Sequence, residues 1–270
     1  MALALKLVLT PAVMVGATLA GRRWGGAVSG WLIGLPLTSG PLVLVLALEH
    51  GRSFASGTAT GSLSGAVAEA AFVVGYAFGG RVPLLVATLG FAAAAAAVHA
   101  APFVALVVAV PVALVVALWL LPPFPVRTQP AARPPRWDLP ARAVVATGVV
   151  LVLAAAATTI GARLTGLLAV YPLYSAVLAA FANRREGRAA AVGLLRGLLV
   201  GLFSFAAFYT TLAVLLPRTT TGVAFACAIA AALIVQAASL RRILRRPASR
   251  SEPGLPPEAA SSPSPAALPR

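Results

Sequence analysis

The chain has 270 residues, 60% of them hydrophobic and only 10% charged, with a mean hydropathy of +0.95. Soluble domains carry about 25% charged residues, so the composition excludes a soluble globular fold and predicts an all-α polytopic membrane protein. A formal net charge of +15 would suggest nucleic acid in a soluble protein. Here the arginines stand beside apolar runs of span length, so positive-inside topology accounts for them and no nucleic-acid partner is expected.

In chain order, apolar runs predict about nine transmembrane helices, at roughly 3–20, 24–48, 57–79, 82–99, 102–121, 142–160, 163–182, 193–216 and 219–240. The alternating pattern of an outer-membrane barrel is absent. The first run has Lys6, an apolar core and small residues before Gly21, as a signal peptide would. Its cleavage site is poor and Arg22 and Arg23 follow at once, which favours a retained span. From Val82 to Leu121 the chain is apolar throughout. One helix of that length would measure about 60 Å, twice the bilayer, so a turn near His99–Pro102 must divide it.

Residues 122–141 hold seven prolines and read as an extended cytoplasmic connector. Beyond residue 240 come a basic cluster and then a Pro/Ser/Ala-rich tail of disordered composition, residues 241–270. The domain plan is a first four-helix repeat (1–100), a linking helix (101–121), the connector, a second four-helix repeat (142–240) and the tail. With the N-terminus outside, 17 Lys and Arg fall inside and four outside. An eight-span alternative with the N-terminus inside divides them 16 to 5, so the length of the 82–121 run and the position of Arg22 and Arg23 decide for nine. The expected location is the plasma (inner) membrane, C-terminus cytoplasmic.

Sliding the chain against itself by 136 residues, without a gap, aligns Gly25 with Gly161, Pro36 with Pro172, Ser39 with Ser175, Gly51 with Gly187, Arg52 with Arg188 and Phe72 with Phe208. Over residues 25–77 about a third of the pairs are identical, where about six identical pairs are expected by chance. The two units hold four spans each with one between them. An odd number of crossings turns the second unit upside down, and such inverted repeats are a recurrent architecture of secondary transporters.

Each unit interrupts its second span at the same place, with Pro36 and Pro41 in the first and Pro172 in the second. Proline removes an amide and breaks the helix. Pro36 lies about 18 Å of helical rise into its span, near mid-bilayer. Broken helices there expose dipoles and hydroxyls, which makes Thr38, Ser39, Tyr171, Tyr174 and Ser175 candidate substrate contacts. A kink that only shapes packing is the other reading of the same residues.

Glu69 is the one acidic residue well inside a span. A lone carboxylate costs several kcal/mol in hydrocarbon unless protonated or paired, so Glu69 suits proton coupling, or alternatively a neutral acid bonded to a neighbouring helix. Gly57, Gly61 and Gly65 recur every four residues, matched by Gly193, Gly197 and Gly201. That spacing lets helices approach closely, as static packing or as a sliding surface. His50 and His99 decorate span ends, and Cys227 is the single cysteine. No catalytic dyad, phosphate loop or metal spacing occurs, so no enzyme, cofactor or metal site is expected.

The segment Leu168–Ser175, with Tyr171 and Pro172 at its centre, resembles the GlpM-like small bacterial membrane proteins over roughly residues 145–240. More loosely, the four-plus-one-plus-four plan is similar to the drug/metabolite transporter superfamily. That resemblance implies a small-solute exporter or exchanger. The small multidrug members keep their proton-linked glutamate on the first span, whereas Glu69 is on the third, so no residue role carries over. The expected function is alternating-access transport of a small solute. The alternative is an accessory protein that scaffolds an envelope or membrane enzyme, with the basic clusters at Arg184 and Arg241 binding anionic lipid or a partner.

Overall fold

The computed structural model describes residues 26–36, 39–122 and 170–244, with single positions outside these ranges that include Arg163 and Leu167. The expected spans at 3–20 and 142–160, the connector and the C-terminal tail lie outside the described residues. What is described is all-helical. The helices are α1 (Gly26–Ile33), α2 (Ser39–Glu49), α3 (Gly51–Phe78), α4 (Pro83–Val98), α5 (Phe103–Leu120), α6 (Leu173–Glu186), α7 (Arg188–Leu215) and α8 (Thr221–Leu244).

Among the described residues four helices are long and apolar enough to cross a membrane: α3, α5, α7 and residues Thr221–Ser239 of α8. Apolar α4 has 16 residues, about 24 Å of rise and short of a ~30 Å hydrocarbon core. The expected turn at His99–Pro102 separates it from α5. The run expected at 24–48 is two helices, α1 and α2, with non-helical chain at Gly34–Pro36 between them.

Two starts differ from expectation. The third span begins at Gly51 rather than 57, and its counterpart at Arg188 rather than 193, so that α3 and α7 each run 28 residues. At about 42 Å they exceed the hydrocarbon core by roughly two turns. Those extra turns carry Arg52 and Arg188, which hydropathy does not count as membrane but which continue the helix without strain. Each long helix follows the previous one across a glycine at φ +86°, Gly51 and Gly187, a left-handed position that side chains disfavour.

The core is α3. Ala55, Ala59, Leu63, Ala66, Ala70, Phe72 and Val73 are buried along it, because Ala, Gly and Ser occupy so little volume that several helices can lie against it. Its hydroxyls are satisfied locally: Thr58 donates to the Phe54 carbonyl (3.1 Å), Thr60 to Ser56 (3.1 Å) and Ser62 to Thr58 (3.1 Å). This i−4 back-bonding lets a polar helix sit in an apolar core. The valines of α5 point the other way. Val104, Val108, Val112 and Val115 form an exposed stripe that ends at Trp119, the arrangement of a lipid-facing helix with an aromatic anchor near its end.

Helices α3 and α7 lie antiparallel. Ser56 near the start of α3 donates to the Ala213 carbonyl near the end of α7 (3.0 Å). The Arg188 guanidinium, at the start of α7, donates to the Ala77 carbonyl at the end of α3. Arg52 Nη1, at the start of α3, donates to the Thr219 carbonyl beyond the end of α7 (2.6 Å). Cations placed on the last carbonyls of a helix are favoured by its dipole and satisfy acceptors with no intrahelical partner.

Candidate functional site

Each break is held by a small set of backbone bonds. In the first, the Gly34 amide donates to the Gly30 carbonyl (3.0 Å) and Leu35 to Leu32 (3.2 Å) before the chain leaves the helix; it re-enters with Gly40 donating to Pro36 (2.9 Å). In the second, Val170 donates to Leu167 (3.3 Å) and Leu173 to Tyr171 (2.7 Å); re-entry is Ala176 donating to Pro172 (2.8 Å). A proline carbonyl accepting from the amide four residues on therefore starts the new helix in both, at positions 136 apart.

Each break packs on the long helix of the other half of the chain. A Cβ on Gly197 would stand against the Ala27 carbonyl and one on Gly201 would be 2.5 Å from the Trp31 carbonyl. A Cβ on Gly61 would stand against the Arg163 carbonyl, and one on Gly65 would be 3.1 Å from the Leu167 carbonyl and 2.8 Å from the Val170 side chain. The partners are again offset by 136: Ala27 with Arg163, Trp31 with Leu167. The aromatic rings follow suit. Phe72 of α3 meets Tyr171 at the second break edge-on (6.4 Å), and the Phe208 ring of α7 lies 3.4 Å from where a Gly40 Cβ would stand at the first. Gly193 has nothing within 4 Å of its Cβ position.

The predicted site residues separate into distinct places. Tyr171 is half-buried, its hydroxyl 3.1 Å from Thr88 Oγ1 and its ring against Phe91 (5.2 Å). Ser175 is buried and donates to the Pro172 carbonyl (3.0 Å), so its hydroxyl serves the broken backbone. Ser39 is buried at the start of α2, beside the Tyr209 phenol, which the Ser62 hydroxyl also flanks. The Tyr209 oxygen nevertheless has no partner in hydrogen-bond geometry. Thr38 lies outside the described residues, as do the side chains of Pro41 and Tyr174.

Glu69 is buried on α3, 5% exposed. Among the described residues no hydrogen bond or ion pair reaches it, and none joins Ser39 to Tyr171. Sequence reasoning missed Thr88, Ser62 and Tyr209. Of these only Tyr209 carried a readable signal, a hydroxyl-bearing ring in a span otherwise made of apolar and small residues.

Charged side chains keep to the helix ends. Besides the Arg52 and Arg188 contacts, Arg163 donates to the Ala101 carbonyl, and Arg196 Nη1 to that of Leu121 (3.2 Å). Among the described residues no three His, Cys, Asp or Glu side chains come together. No protein-family model matches the chain, and comparison with curated proteins and with solved structures returned no match.

Proposed function

We propose that the chain is a multi-pass secondary transporter of a small solute, built as two inverted four-helix repeats that exchange conformations to give alternating access. The observation that carries this reading is the reciprocal packing of the breaks. Each broken helix seats on the other unit's long helix through glycines and carbonyls offset by the same 136 residues, while the two long helices run antiparallel. A twofold axis perpendicular to those helices, in the membrane plane, generates that pattern. A parallel repeat would set α3 and α7 side by side in the same direction. The GlpM-like and drug/metabolite transporter resemblances are consistent with this plan.

Orientation follows from the arginine contacts. They sort the loops into two sets, one holding residues 49–52, 99–102, 163 and 216–220, the other 78–82, 121–122, 184–188 and the end of α8. The first set carries Arg52, Arg163 and Arg218; the second carries Arg81, Arg184, Arg185, Arg188, Arg241 and Arg242. Positive-inside bias makes the second set cytoplasmic in the plasma membrane, with the C-terminus inside and the N-terminus outside under nine spans.

In this reading Arg52 and Arg188 are equivalent latches at opposite faces, each tying the start of one long helix to the far end of the other. Opening one while the other holds is an alternating-access step. The test uses a chain whose single cysteine is removed (Cys227→Ser) and whose Ser39 is replaced by cysteine at the first break. Position 39 should react with membrane-impermeant thiol reagents from either face. Arg52→Gln should raise its outside reactivity and Arg188→Gln its inside reactivity, each by several fold. A non-transporting accessory protein predicts a position 39 that stays unreactive, or reacts from one face alone, whatever the latches do.

A further inference from the structure

We propose that Ser39, Ser62 and Tyr209 form a recognition site for the hydroxyl group of a small uncharged solute, at the N-terminal end of the broken helix α2; this rests on the transporter reading above. Tyr209 is wholly buried, and its phenol oxygen has no partner in hydrogen-bond geometry although two hydroxyls stand beside it. Buried polar atoms are nearly always paired. A buried phenol flanked by hydroxyls that do not satisfy it marks a place where a third party supplies the bond.

The two breaks differ in this respect. At the second, Tyr171 is bonded to Thr88 and Ser175 to the Pro172 carbonyl. At the first, the cluster has no duplicate, since the repeat positions of Ser62 and Tyr209 are Leu198 and Val73. One break has therefore kept a packed, internally satisfied form, and the other has acquired hydroxyls with bonding capacity left over. Such divergence within a duplicated pair is expected of a binding site rather than of a scaffold element.

The chemistry of the cluster selects the ligand class. Ser62 gives its proton to the Thr58 carbonyl and so presents lone pairs, Tyr209 has a proton to donate, and Ser39 can do either. That mixture suits a hydroxyl, which both donates and accepts. An anion is disfavoured because the first turn of α2 has few amides to offer: Gly40 is committed to the Pro36 carbonyl and Pro41 has none. The arginines are spent on carbonyls at the helix ends. A cation is disfavoured because Glu69 stands two turns further along α3 than Ser62, about 10 Å of rise away and beyond ion-pair reach. Phe205 and Phe208, 4.4 and 5.1 Å from the Tyr209 ring, supply an apolar wall for the carbon skeleton. Substrate and proton would thus occupy separate places, the hydroxyl cluster and Glu69.

The test measures the unfolding midpoint of the full chain purified in detergent, titrated with erythritol as the uncharged probe, ethanolamine as its cationic counterpart and glycerate as its anionic one. Erythritol should raise the midpoint saturably. Tyr209→Phe should weaken that response at least tenfold without lowering the midpoint of the unliganded protein, because it removes a buried hydroxyl that has no partner. Should Tyr209→Phe not fold, Ser62→Ala is expected to show the same tenfold loss. A saturable response to ethanolamine or glycerate but not to erythritol would overturn the proposal, as would no saturable response to any probe or an unchanged response in the variants. Reactivity of position 39 from both faces, measured separately, keeps the two readings apart. Two-sided reactivity without an erythritol response overturns the ligand class alone, whereas erythritol binding with one-sided reactivity overturns transport and leaves the site.

Discussion

Alanine at Gly197 or at Gly61 is expected to abolish most folded protein, and the two replacements should do so to a similar degree. A Cβ at either position would stand well inside 3 Å of a backbone carbonyl, Ala27 for Gly197 and Arg163 for Gly61. A flexible side chain could swing aside, but a carbonyl held in a helix cannot, so two helices must separate. Overpacking of a close interface costs about 1–3 kcal/mol, and here the separation would also loosen Gly201 or Gly65, next on the same face. Gly193 is the control. Nothing lies within 4 Å of its Cβ position, so Gly193→Ala should leave yield and unfolding midpoint unchanged. Size-exclusion profiles and thermal midpoints in detergent check all three. Equal sensitivity of Gly193 and Gly197 would mean that helix propensity rather than close approach governs these sites.

Replacing Glu69 with Gln is expected to leave the protein folded and to remove pH-gradient-driven transport, with a fall of at least about tenfold in proteoliposomes. Glu69 is 5% exposed on the core helix, with no described hydrogen bond or ion pair. Glutamine keeps the size and hydrogen-bonding capacity of the protonated acid but cannot titrate. Alanine would confuse the outcome by opening a cavity. The repeat position of Glu69 is Phe205, so one carboxylate serves the whole molecule and its loss has no substitute. Uptake or efflux that still follows an imposed pH gradient in Glu69→Gln would move the coupling role elsewhere.

How much of this was legible in the residues differs from feature to feature. The two breaks were, because Pro36 and Pro172 combine a missing amide with a fixed offset, and the backbone departs from helix at both. The glycine stripes were legible as small surfaces but not as to partner. Nothing in Gly61 itself names Arg163, and a Gly-rich face is equally suited to any helix that comes close. The starts of α3 and α7 were hidden because hydropathy registers only the apolar stretch, whereas Gly51 and Gly187 set the boundary through backbone conformation. The Ser39–Ser62–Tyr209 cluster was least legible. Its members come from three helices, and isolated serines in a span most often bond their own backbone, as Ser62 does with Thr58. Nor does sequence indicate that Ser175, in the same position of its unit as Ser39, is already committed to the Pro172 carbonyl.

The inverted relation of the two units is tested most directly by asking on which face of the membrane the equivalent helix starts lie. Ser53 and Ala189 are both exposed, two residues beyond the glycine turns at Gly51 and Gly187, and are repeat equivalents. In the Cys227→Ser chain, Ser53→Cys should react with an impermeant thiol reagent in intact cells, and Ala189→Cys should react only after the membrane is permeabilised. Labelling of both positions from the same face would make the repeats parallel and contradict the account.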